Sequence, residues 1–295
     1  MKANLSDYIN KYKEIIQTEY NQHIQELDIP EQLKKSMLYS LDAGGKRLRP
    51  VLLIASYEGY GKNNVDKVLS SAIALEMIHT YSLIHDDLPA MDDDDYRRGM
   101  PTNHKVFDEA TAILAGDALL TYSFELIAND PLLNDKEKVN IIQMLASCSG
   151  PKGMVGGQIL DMEAEDKPVS LEEMEQIHAL KTGELLKFAI HTGAYLGEAT
   201  NEQLLHLKEF SHYLGLIFQV QDDILDVTGE QEKLGKPVGS DTGNMKSTYP
   251  KLLGIDGAIK QKEIYVEKAK QALAGAGAAD SNLRALTDYF SNRDH

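Results

Sequence analysis

At 295 residues with 42% hydrophobic side chains, the chain can hold one large domain or two small ones and has ample material for a core. Its 30 Lys and Arg stand against 46 Asp and Glu, a net charge of −16, which argues against nonspecific binding to nucleic acid or to an anionic membrane. The single cysteine, Cys148, excludes an intramolecular disulfide and suits a buried, inert thiol in a reducing cytosol. The opening stretch Met1-Lys2-Ala3-Asn4-Leu5-Ser6-Asp7 lacks the apolar centre of a signal peptide, and no uninterrupted apolar run approaches a bilayer's thickness; a cytoplasmic protein is expected. Without linkers, repeats or low-complexity segments, one domain over 1–295 is expected.

Taken in chain order, the hydrophobic period predicts helices at 5–26, 30–41, 50–60, 66–86, 108–128, 135–149, 153–162, 171–196, 201–227, 249–254, 257–273 and 281–291, an all-α fold with no alternating strand pattern. Pro30 and Pro50 fit first-turn positions, Asp66, Asp108 and Asp135 fit N-caps, and Ser170-Leu171-Glu172-Glu173 and Thr200-Asn201-Glu202-Gln203 match capping boxes. The helix from Asp66 is apolar nearly all round, as is Leu204 to Leu225, so both are expected to be central. Both end in aspartates, which would face each other across the mouth of one cavity. Two long loops, about 87–107 and 228–248, are rich in charge; the second carries Lys233, Lys236 and Lys246 among Gly229, Gly235, Gly239 and Gly243, a composition suited to a mobile lid over an anion.

The two clusters, Asp86-Asp87-Leu88-Pro89-Ala90-Met91-Asp92 and Asp222-Asp223-Ile224-Leu225-Asp226, are the sharpest chemical signal. A carboxylate pair at a helix C-terminus meets the negative end of the macrodipole and its neighbour's charge, so a cation must compensate. Mg²⁺ fits, since it takes one or two carboxylates and completes its shell with substrate phosphates. Asp222 and Asp226 share a helical face. Asp86 and Asp92 would not align on a straight helix, but Pro89 disfavours helix at Leu88, letting the chain bulge and return Asp92 beside Asp86. Asp93, Asp94 and Asp95 read better as solvated surface.

Gly44-Gly45-Lys46-Arg47-Leu48-Arg49-Pro50 sets three cations on a turn before a helix, where an anion is favoured. Arg97-Arg98 follow the first cluster, and Lys181-Thr182-Gly183 puts a costly glycine inside a helix. His79 is either a satisfied core histidine or a phosphate contact, Gln219 either a buried helix–helix bond or a site residue, and Gly156-Gly157 foremost a close helix approach. Metal ligands beside scattered cations suggest a diphosphate substrate.

The segments 83–99 and 218–226 resemble the two aspartate-rich motifs of trans-isoprenyl diphosphate synthases, the polyprenyl synthetase family, the first in its form with the bacterial-type insertion. Gly44 to Pro50, Gly156-Gly157-Gln158, Lys181-Thr182-Gly183 and Lys236-Pro237-Val238-Gly239-Ser240-Asp241 are similar to further family signatures, in the same order, and the farnesyl-forming bacterial members are the most similar. The resemblance implies the isoprenoid-synthase helical bundle, a homodimer, and head-to-tail condensation of isopentenyl diphosphate with an allylic diphosphate. It implies that Asp86, Asp92 and Asp222 ligate Mg²⁺ with Asp87, Asp223 and Asp226 in support. Arg97, Lys181 and Lys236 would hold the allylic diphosphate, and Lys46, Arg49, His79 and Arg98 isopentenyl diphosphate, with Gly45 and Lys246 in the substrate-binding set. The Lys181 and Thr182 carbonyls and Gln219 would stabilise the allylic cation.

Tyr81, five residues before Asp86 and so roughly 7.5 Å along a helix, is a candidate floor for the growing chain; the alternative is ordinary core. A terpene cyclase would carry a second motif of Asn/Ser/Glu character and has no use for Lys46 and Arg49. A phosphohydrolase using His79 and His85-Asp86 leaves Asp222 unexplained, and a non-catalytic partner subunit would ordinarily have lost some of these aspartates.

Overall fold

A computed structural model describes residues 4–165, 167–228 and 247–293. They fall into two compact units, one built from residues up to Ile54 with Asn64–Gln143, the other from Ala55–Asn63 with Met144 onward.

The first unit contains α1 (Leu5–Gln25), α2 (Glu31–Asp42), the start of α3 (Leu48–Glu58), α4 (Asp66–Asp86), a hairpin of β1 (Tyr96–Arg97) and β2 (Met100–Pro101), α5 (Asn103–Val106), α6 (Glu109–Ala128) and most of α7 (Asp135–Ser149). On α1, Ile9, Tyr12, Ile16, Tyr20 and Ile24 recur every three or four residues and are buried, the single apolar stripe of a helix packed on one side. By contrast α4 is buried on nearly every face and packs on α1, α2 and α6, the central position that its continuous apolar character predicts. Asp108 caps α6 by accepting from the Thr111 N–H, as expected. Asn134, not Asp135, caps α7, exchanging bonds with Glu137; Asp66 likewise lies inside its helix, behind Val65. By length and composition α6 is apolar enough to cross a bilayer, but it carries Asp117 and Glu125 and packs on α2, α4 and α5.

The second unit holds α8 (Met154–Ala164), α9 (Leu171–His178), a π-helical turn (Ala179–Gly183), α10 (Glu184–Leu196), α11 (Asn201–Thr228), α12 (Tyr249–Gly275) and α13 (Asn282–Asn292). Its centre is α11, packed on α10, α12 and α13. Both predicted capping boxes form, at Ser170 with Glu173 and at Thr200 with Gln203. Burial pushes the Cys148 thiol up to about 12, with Glu184 adding to it, so the thiol is inert as expected.

The all-α class is borne out, with three local departures. Residues 171–196 are not one α-helix but are interrupted by the π-turn. Two helices expected at 249–254 and 257–273 are one element kinked at Gly254, whose φ of 72° is non-helical. The loop 87–107 contains the small hairpin and α5. In that hairpin Tyr96 pairs Pro101 and Arg97 pairs Met100, and Arg98 and Gly99 take φ of 53° and 78° at the turn, the left-handed pair that matches strand twist.

Candidate active site

The first cluster closes on itself. The Asp92 N–H donates to the Asp86 carbonyl at 2.9 Å, and the Asp93 N–H to the Leu88 carbonyl at 3.2 Å, so the chain after α4 doubles back as Pro89 predicts and brings Asp92 beside Asp86. Asp86 is half-buried and Asp92 exposed. Asp87 points inward, 3% exposed, and accepts from Arg97 Nε at 2.6 Å. Burial pushes the Asp87 carboxyl up and Arg97 pulls it back. Asp93 and Asp95 are exposed, Asp95 pairing with Lys105 at 2.6 Å, which fits their reading as surface.

Cations gather in the same unit, but not the three expected from the basic turn. Arg47 is turned into the core, where Nη1 donates to Glu76 Oε1 at 2.6 Å and Nη2 to the Leu41 carbonyl, so it is structural. Lys46 and Arg49 are half-exposed. Arg98 donates to the Gly44 carbonyl and lies across the turn: a Cβ on Gly45, whose φ is 110°, would meet the Arg98 guanidinium at 2.5 Å. The backbone angle is what favours glycine there, since the guanidinium is the far end of a flexible side chain and can shift. His79 lies 3.4 Å from Arg49 Nη1. Burial, then Arg49, Arg98, Arg47 and Arg97, holds its imidazole well below 6.5, so it is neutral near pH 7.

This has a sign for stability. Below about pH 6.5 an unfolded His79 takes up a proton that the folded one refuses, so its contribution to stability is lost as pH falls, by at most about 1.4 kcal/mol per pH unit. His79→Gln is expected to flatten the decline in Tm between about pH 7.5 and 5.5. An unchanged pH profile would mean that another group carries the slope.

Tyr81 is buried, with its ring edge-on to His85 at 5.7 Å. Burial, then Asp86, pushes its phenol up to about 12, so it is an uncharged ring one turn and a half before the carboxylates.

In the second unit, Lys181, Thr182, Gln219 and Asp223 line a cavity of about 150 Å³ together with Asp161 and His178. Lys181 donates to Asp161 Oδ2 at 2.6 Å. The π-turn bearing Lys181-Thr182-Gly183 is pressed from two sides. A Cβ on Gly157 of α8 would lie 2.3 Å from the Lys181 backbone nitrogen, and one on Gly215 of α11 3.1 Å from Gly183 Cα. The expected close approach at Gly156-Gly157 is therefore real at Gly157, whereas a Cβ on Gly183 would meet only the His178 carbonyl at 3.6 Å, an ordinary contact. Asp222 and Asp226 are half-exposed one turn apart, outside that cavity's lining. Arg293 of α13's C-terminal flank donates to Asp222 Oδ1 and to the Phe218 carbonyl, with its guanidinium 4.1 Å over the Phe218 ring. Asp161, Glu76 and Arg293 were missed from sequence, where nothing local marks their distant partners. Lys236 and Lys246, and the proposed lid around them, lie outside the described residues.

Among the described residues no three His, Cys, Asp or Glu side chains converge as a ready-made metal site. The donors still suit Mg²⁺: each cluster offers oxygen-only carboxylates at a helix end, in the small number that this ion takes before phosphate and water complete its shell.

An all-α protein with a carboxylate cluster ending a buried central helix in each unit, and with cations around a neutral histidine, carries the side chains that holding a diphosphate through metal and direct contacts would use. The chain is a member of the Polyprenyl synthetase family, whose profile matches residues 30–284. It is 49% identical over 297 residues to the farnesyl diphosphate synthase of Bacillus subtilis, covering 100% of both chains. It is 44% identical to a geranylgeranyl diphosphate synthase of Cyanophora paradoxa, covering 99% of this chain and 97% of the other. In structure it is similar to a geranyltransferase from Legionella pneumophila, with a TM-score of 0.86, 35% identity, and 98% and 97% of the two chains covered. The prenyl-synthase fold that the motifs imply is thereby shown.

Proposed function

We propose that this protein is a short-chain trans-prenyltransferase that joins isopentenyl diphosphate to dimethylallyl and then geranyl diphosphate, releasing pyrophosphate and making farnesyl diphosphate. The observation that carries the reading is the folded-back first cluster, in which the Asp92 N–H to Asp86 carbonyl bond brings two aspartates of the motif together at the end of a buried helix. Full-length likeness to the Bacillus subtilis enzyme supports the product.

In this reading Asp86, Asp92 and Asp222 hold Mg²⁺, supported by Asp87, Asp223 and Asp226. When bound there, Mg²⁺ would supply neutralisation of the charge developing on the departing diphosphate. Arg97, Lys181 and Lys236 hold the allylic diphosphate, while Lys46, Arg49, His79 and Arg98, on the Gly45 turn and around it, hold isopentenyl diphosphate; Lys246 joins the substrate-binding set. The pairs Arg97–Asp87 and Lys181–Asp161 keep two of these cations placed before substrate arrives, and a diphosphate, with more charge, can then compete for them. A π-turn displaces backbone carbonyls from regular helical bonding, which suits the Lys181 and Thr182 carbonyls to face positive charge on the allyl group. Gln219 adds an amide oxygen. No protein nucleophile is needed, and the departing pyrophosphate accepts the proton lost.

Tyr81 acts as the floor that limits the chain. Tyr81→Ala is expected to move the main product from farnesyl to geranylgeranyl diphosphate, read by chromatography of the dephosphorylated alcohols; an unchanged product ends that role. The protein works as one domain and as a homodimer in the cytoplasm. In favour of the dimer, α6 is strongly apolar yet leaves Ile113 and Leu114 42% and 58% exposed.

The test is purified protein with Mg²⁺, dimethylallyl diphosphate and labelled isopentenyl diphosphate. Labelled farnesol after dephosphorylation supports the reading; geraniol or geranylgeraniol keeps the reaction and changes the product. No labelled prenyl alcohol from folded protein sinks it.

A further inference from the structure

Asp223 belongs to the second aspartate cluster, yet its surroundings differ from those of Asp222 and Asp226. It is 3% exposed, and its two oxygens face two donors on different elements. Oδ2 accepts from the backbone N–H of Tyr249, the first residue of α12, at 2.9 Å; Oδ1 accepts from Gln219 Nε2, one turn back on α11, at 3.2 Å. The Tyr249 N–H is one of the donors that a helix start leaves without an intrahelical partner, and a carboxylate there also meets the positive end of the helix dipole.

An ionised carboxylate only accepts. Whatever part of Gln219 sits opposite Oδ1 must therefore be its NH₂ arm, and the amide oxygen is the other arm, in a side chain that lines the cavity with Lys181 and Thr182. The direction of the Gln219 dipole is thus set by Asp223, which is itself held by α12.

We infer that Asp223 is a positioning residue: it orients Gln219 so that the amide oxygen, not the amide nitrogen, is offered to positive charge on the substrate. This rests on the proposed prenyl transfer, in which that charge forms on the allyl group. A reversed amide would offer N–H dipoles to a cation and oppose the reaction.

The isosteric change Asp223→Asn tests this sharply. The backbone N–H of Tyr249 can only donate, so the oxygen of the new amide must face it and the new NH₂ must face Gln219. To accept that bond Gln219 has to turn its oxygen toward the substituted side chain, reversing the dipole while both hydrogen bonds are kept. Asp223→Asn is expected to lower kcat on the order of 10²-fold, the scale of losing one preorganised dipole, with KM for both diphosphates and the half-saturating Mg²⁺ concentration unchanged. Adding Gln219→Glu supplies an acceptor for the new NH₂ and leaves a second oxygen for the cavity, so the double variant should recover most of the lost kcat.

A readout independent of turnover accompanies it. Gln219→Glu alone sets a carboxylate against Asp223 and should lower Tm, and Asp223→Asn added to it should restore Tm. Wild-type kcat in Asp223→Asn overturns the inference. So does a loss that comes with a raised Mg²⁺ requirement and no recovery in the double variant, which would place Asp223 among the metal ligands. If the wild-type protein forms no prenyl product, the catalytic role falls with the proposed function, while the Tm cycle still decides whether the two side chains are coupled.

Discussion

Asp86→Asn is expected to lower kcat by about 10²–10³-fold at saturating substrate, with a raised Mg²⁺ requirement and no loss of thermal stability. The two halves of this result have one cause. Asp86 is the last residue of α4, where its charge opposes the helix dipole and sits next to Asp87 and Asp92. Removing the charge relieves a repulsion that costs the folded protein about 0.3–1 kcal/mol at a helix end. The backbone bond from Asp92 to the Asp86 carbonyl does not involve the side chain and survives the substitution. On the proposed reading function thus loses a ligand, while in the fold the relief of repulsion offsets the lost attraction between Asp86 and Arg97. Product assays over a Mg²⁺ titration, with Tm measured in the same buffer, check both halves. A variant that loses activity and melts early would make Asp86 a structural residue.

Glu76→Ala is expected to cost about 3–5 kcal/mol of folding stability, a large share of the total for any domain. Arg47 and Glu76 form an ion pair with each side chain only 3% exposed. Removing the carboxylate strands a buried guanidinium whose remaining bonds run to the Leu41 carbonyl and the Tyr20 hydroxyl. The damage should be local to the turn that carries Lys46 and Arg49, so isopentenyl diphosphate binding is expected to weaken before the protein unfolds globally. Replacing both partners, as Arg47→Met with Glu76→Leu, should cost much less, because it removes the charge that needed a partner. Urea denaturation of the single and double variants measures the difference. Equal losses in both would mean that the pair itself, not the stranded charge, sets the stability.

What could be read directly from the chain was whatever is encoded within a few turns. The helices at 66–86 and 135–149 match residue for residue, because an apolar period acts on neighbours three or four residues away, although the residues expected to cap them do not. The bulge that returns Asp92 to Asp86 was legible for the same reason, since Pro89 acts on the residue before it. Both aspartate clusters, the basic turn and the family membership were likewise open to inspection.

Partner choice was not. Arg47 looked like one of three equivalent cations, and only the fold could bury it against Glu76, 29 residues away. Lys181 finds Asp161 at a separation of 20 residues, and Asp222 finds Arg293 at 71. The π-turn is the clearest case. Residues 171–196 carry an uninterrupted helical pattern, and the regular helix is broken where Gly157 and Gly215 bring two other helices onto its backbone. Sequence period specifies which residues form helices and which face inward; which charge meets which, and where a helix yields, is decided only when separate elements share one close-packed interior.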